Sequence, residues 1–160
     1  MKHVFFFIAL FALISCQEKI PEKSFFSAEK LDELKLDDFP EFYGTGELSN
    51  YASPFNNFYG YVDGIGYENS EKGIFVSVFE SKDKAVECME SRIRTVACII
   101  EIGTSDAVEG TWWFTDCIPN GVFVNKWNTI IEVRYYHNNF KEIEDVLYNT
   151  ANEIAERVDK

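Results

Sequence analysis

The sequence predicts an α+β domain: an antiparallel sheet of about five strands with two main helices packed on one face, in the order β-β-α-β-β-β-α. Three observations carry this. Several short stretches are β-branched and aromatic, and turn residues separate them. Two longer stretches repeat apolar residues at helical spacing. The composition, 46% hydrophobic and 26% charged over 160 residues, suits a single hydrophobic core and excludes a disordered or collagen-like chain.

Taken in order, residues 27–35 suggest a short helix, with Ser27 as N-cap and Leu31 and Leu34 three apart. Residues 36–57 set Pro, Gly and Asn between aromatics and read as a long irregular segment. Residues 58–67 and 74–80 read as a hairpin around the turn-like 68–73. Gly60, Gly64 and Gly66 in its first strand suggest bulges or close backbone approach.

Ser81 is a suitable N-cap for a helix beginning near Lys82, with Asp83 in the first turn and Ala85, Met89, Ile93, Val96 and Ile100 at helical spacing. Its end is open, because residues 95–102 (TVACIIEI) also suit a strand. Residues 110–117 read as a strand and Pro119-Asn120-Gly121 as a turn. Residues 122–124 and 129–137 follow as strands joined by a tight turn at 125–128. Asn139-Phe140-Lys141-Glu142 has the form of a capping box, and Ile143, Val146, Leu147, Thr150, Ile154 and Val158 make one apolar stripe behind it. A ferredoxin-like or dimeric α+β barrel arrangement is the alternative topology for this order.

The first fifteen residues stand apart. Met1-Lys2-His3 precedes an unbroken apolar run from Val4 to Ile14, shorter than the roughly 20 residues that a bilayer-spanning helix needs. The run ends in Leu13-Ile14-Ser15-Cys16, which resembles the lipobox of bacterial lipoproteins. The resemblance implies a signal peptide over residues 1–15, diacylglyceryl attachment to the Cys16 thiol, cleavage before Cys16 and acylation of the new amine. Residues 16–24 then form a lipidated tether and residues 25–160 the domain. Gln17 rather than Asp after the cysteine favours the outer membrane over the inner in a Gram-negative cell. Gln17-Glu18-Lys19 is loosely similar to the acidic export signals of Bacteroidota lipoproteins. Two or three acyl chains anchor stably where one does not.

The formal charge is −12, which argues against nucleic acid as a partner. An anionic lipid surface likewise repels such a domain, so the acyl chains are expected to provide the attachment. His3 leaves with the leader, so His137 stands alone and no spaced set of metal ligands or cofactor motif is present. A Cys117–His137 or Cys98–His137 dyad is a candidate nucleophilic pair, set against a solvent-facing His137 at a strand end. Cys98 and Cys117 are the pair placed to form a disulfide in an oxidising compartment, the alternative being three buried thiols. Cys88 and Cys98 lie too far apart along one helix to bridge. Asp63, Glu68, Glu101, Asp106, Glu109 and Asp116 lie near loops, where a polymer-cleaving enzyme would need two across a cleft; an acidic solvated face is the plainer reading.

Aromatics make up 16% of the chain. Strand alternation puts Ile74, Val76, Val78, Ile131 and Val133 on one face and Phe75, Phe79, Ile130, Glu132, Arg134 and Tyr136 on the other. The set Phe79, Trp112, Trp113 and Tyr136 is expected to form a second covered surface. Its cover is the fold-back of the aromatic segment 39–58, a second copy of the chain, or a glycan or apolar ligand. The function expected is that of an envelope lipoprotein with a binding or scaffolding domain. An enzyme acting on envelope polymers and a structural subunit of an envelope complex are the alternatives.

Overall fold

The structure, a computed structural model, describes residues 49–96, 98–103, 110–114, 120–137 and 142–158. The leader 1–15, the tether 16–24, the helix expected over 27–35 and the capping box at Asn139 lie outside them. The α+β class and the order of the expected elements are present. Strands β2 (Tyr61–Glu68) and β3 (Lys72–Phe79) lead into helix α1 (Lys82–Thr95). β5 (Gly110–Phe114), β6 (Asn120–Lys126) and β7 (Thr129–Tyr135) then lead into α2 (Glu144–Val158). These five strands are the contiguous middle of the sheet. Two short strands, β1 (Ser49–Tyr51) and β4 (Ile99–Gly103), extend it at opposite edges to the order β1-β2-β3-β7-β6-β5-β4. Every neighbouring pair is antiparallel.

Local chemistry explains the boundaries. Ser81 caps α1, accepting the Lys84 amide N–H on its hydroxyl at 3.3 Å. α1 stops at Thr95, so Ile100, expected on its stripe, and the later part of the ambiguous run lie instead in the edge strand β4, as β-branched residues prefer. Asn120 and Gly121, expected in a turn, belong to β6. The turn between β6 and β7 is Trp127-Asn128, with Trp127 at φ 50°. The Asn125 side-chain amide holds it by donating to the carbonyls of Trp127 (3.2 Å) and Thr129 (3.0 Å). Asn128 ties this turn to the end of β3 through two bonds with the Phe79 backbone, at 2.8 and 2.9 Å.

The two helices lie on opposite faces of the sheet, not on one. Ile74, Val76, Val78, Val122, Val124, Ile131 and Val133 face α2, where Leu147, Ala151, Ile154 and Ala155 cover them. Phe79, Phe123 and Ile130 face α1, where Ala85, Cys88 and Met89 cover them. The reason is the composition of the central strands. β3 and β6 are buried at every position, so both faces lose stability unless each has an apolar lid.

Candidate functional site

The expected aromatic surface is only partly assembled. Phe79 sits under Phe55, Phe58 and Tyr61, with ring centroids 6.2–6.4 Å apart. Trp112 packs at the margin of the same cluster, and its buried indole N–H has no hydrogen-bond partner among the described residues. Trp113 does not belong with them. It faces α2 and packs on Tyr148 at 6.1 Å, because neighbours along a strand point to opposite faces. Tyr136 joins a polar cluster further along. Phe55 and Phe58, from the aromatic segment, cover Phe79; the portion before residue 49 is outside the described residues.

How Phe55 and Phe58 reach that position follows from the turn that carries them. The Ser53 hydroxyl meets the Ser77 hydroxyl of β3 at 2.5 Å and accepts the Phe55 amide N–H at 3.1 Å. Phe58 N–H then donates to the Phe55 carbonyl at 2.8 Å. At Gly64 a Cβ would lie 2.8 Å from the Val76 carbonyl oxygen and 2.9 Å from Ser53, so only glycine allows this approach.

Between this turn and α1 lies a cleft of about 280 Å3. The turn supplies Pro54, Phe55, Asn57 and Phe58 to it. The helix supplies Cys88, Ser91, Arg92 and Thr95, spaced as one helical face. Its floor is apolar, because Phe55 and Cys88 are buried. Its polar groups sit higher: Arg92 and Asn57 are exposed and Ser91 half-buried. Among the described residues none of these three side chains has a hydrogen-bond or ion-pair partner. Thr95 differs, since its hydroxyl donates back to helix carbonyls at 2.9 and 3.1 Å. The Cys88 thiol is free, and burial pushes its pKa up to about 12 against the opposing effect of Arg92. It is therefore protonated at neutral pH and a poor nucleophile.

Beneath the cleft the same face carries an ionic cluster. Glu132 is 1% exposed and receives a two-pronged bond from Arg134, Nε to Oε1 at 2.6 Å and Nη2 to Oε2 at 3.0 Å. Register gives Arg134 its room. Gly73 and Gly121 stand directly opposite it on the two neighbouring strands, and Phe75 lies beneath its guanidinium at 4.4 Å. Glu68, across Gly73, lies 3.8 Å from Arg134 and accepts the Tyr136 hydroxyl. Burial raises the Glu132 pKa, with the Arg134 and Arg92 charges opposing. Burial also pushes Tyr136 up to about 12, and the Glu68 hydrogen bond adds to this.

The other sequence candidates separate. Cys98 is disulfide-bonded, so it has no thiol to pair with His137, which is exposed. Cys117 and Cys16 lie outside the described residues, as do Asp106, Glu109 and Asp116. Asp63 accepts the Gly64 amide N–H at 2.8 Å in an exposed position, while Glu68 serves the ionic cluster. Among the described residues no three His, Cys, Asp or Glu are grouped to hold a metal, and no helix is long and apolar enough to cross a membrane. Comparison with protein-family models, with curated proteins and with solved structures finds no match. Sequence reasoning missed Asn57, Ser91 and Arg92. Polar residues on a helix and a turn look like ordinary surface, and no spacing rule links position 57 to position 92.

Proposed function

We propose that this chain is a lipid-anchored envelope protein whose domain binds a partner rather than transforming it. The lipobox at Leu13-Ile14-Ser15-Cys16 supports the anchoring, with the Cys16 thiol as the lipid-bearing atom. One observation carries the binding function: three polar side chains without partners among the described residues line one cleft, over an apolar floor, beside a thiol that burial keeps protonated. Apolar lining with a few convergent polar groups is the usual make-up of a ligand pocket. The anchor and the disulfide fit together. A lipid-bearing Cys16 has no sulfhydryl to offer, so Cys98 pairs with Cys117, the one other cysteine besides the free Cys88.

A fragment screen by NMR on the full-length chain tests the binding site. Hits are expected to shift resonances of residues 54–58 and 88–95 together. Hits confined to other surfaces would overturn the assignment of this cleft.

A further inference from the structure

Resting on that reading of the cleft, the question is which ligand chemistry it fits. Each of these three polar groups can donate a hydrogen bond, and Arg92 can only donate. Arg92 brings a guanidinium, Asn57 a side-chain amide and Ser91 a hydroxyl, all at the rim. The nearby acids of α1 are already engaged, Glu87 by Lys84 at 2.7 Å and Glu90 by Arg94 at 3.2 Å. Among the described residues Arg92 thus keeps a positive charge without an ion-pair partner, on a chain of formal charge −12. Glu132 acts on Arg92 from below, but its two carboxylate oxygens are taken by Arg134. Below the rim the walls are the rings of Phe55 and Phe58 and the Cys88 thiol.

We propose that the cleft binds a small carboxylic acid with an apolar or aromatic body, its carboxylate on Arg92 with Asn57 and Ser91 and its body between Phe55, Phe58 and Cys88. Guanidinium matches carboxylate in both charge and fork geometry. The volume lies just under the usual ligand-pocket range, which selects a small acid over a full lipid or a polymer chain.

The test uses 3-phenylpropionate, 3-phenylpropanol and 3-phenylpropylamine, which share one body and differ in charge. Each is titrated into the full-length chain to about 10 mM, a range that detects even weak sites, and followed by calorimetry and NMR. The acid should bind most tightly and the amine least. Arg92→Gln, at an exposed position, should weaken the acid by about ten-fold or more and leave the alcohol unchanged, as expected for losing a charge-assisted bond. Phe58→Ala should weaken acid and alcohol alike. Equal binding of acid and alcohol, preference for the amine, or indifference of the acid to Arg92→Gln would overturn the carboxylate assignment. In those cases shifts at residues 54–58 and 88–95 would still uphold the cleft as a binding site. Binding of none of the three would overturn the carboxylate assignment too, while the fragment screen judges the cleft independently.

Discussion

Glu132 has the most demanding environment of any residue described here: a carboxylate 1% exposed in the middle of a sheet. Its tolerance depends on Arg134. Removing one partner of a buried pair typically costs about 3–5 kcal/mol, because it strands the other charge. Arg134→Met should therefore lower stability by about that amount at pH 7. The pH dependence has a definite sign. Burial holds the folded Glu132 pKa above its unfolded value, and losing Arg134 raises it further. Stability linked to this group is then present below the unfolded pKa and lost as pH rises through the folded one. Denaturant titrations should show a smaller loss for Arg134→Met at pH 4 than at pH 7; an equal loss would mean that Glu132 is already neutral. Cys88 gives a second residue-level expectation. With its thiol pushed up to about 12 and buried, it should resist iodoacetamide at pH 8 in the native chain and react once the chain is unfolded. Rapid native alkylation seen by mass spectrometry would contradict that burial.

At the scale of the element, α2 is a lid. Leu147 and Ile154 are 2% and 0% exposed against the valine face of β3, β6 and β7. Leu147→Ala should cost about 2–5 kcal/mol and lower the melting temperature by many degrees; a shift within error would mean that the helix is not a lid. The turn before β2 is the element that makes the cleft, and it hangs on Ser53 and Ser77. Ser77→Ala removes the Ser53–Ser77 hydroxyl contact and leaves the buried Ser53 hydroxyl with the Phe55 N–H and the Tyr61 hydroxyl as its remaining partners. It should cost about 1–3 kcal/mol and move the NMR signals of Phe55 and Phe58. Unmoved signals would show that packing on Phe79 alone holds the turn.

On the proposed reading, an acidic domain follows a leader that is cleaved before a lipid-accepting Cys16. Cells grown with a clickable palmitate analogue should label the wild type and not Cys16→Ala, and equal labelling would remove the anchor from the proposal. Thiol counting gives an independent check on the cysteines. The unreduced, unfolded mature chain should expose one thiol, from Cys88, and peptide mapping should recover Cys98 linked to Cys117. A second thiol would contradict the anchor, two further thiols would contradict the pairing, and a Cys16–Cys98 peptide would contradict both.

Local pattern by itself determined the α+β class, the five middle strands, the Ser81 cap and the apolar stripe of α2, because period and capping are properties of neighbouring residues. It also separated the two sheet faces, since alternation along a strand needs no partner. Tertiary structure decided what covers each face. Whether two helices share a side depends on how strongly both faces of β3 and β6 need burial, and that appears only once the sheet is assembled. The edge strand β1 was equally hidden, because three residues carry too little periodicity to outweigh their neighbours, and β4 was legible only as one of two readings of residues 95–102. The cleft lay furthest from the sequence. It joins positions 54–58 to positions 88–95 through the Ser53–Ser77 contact and the Gly64 approach, and such a meeting is set by packing in space.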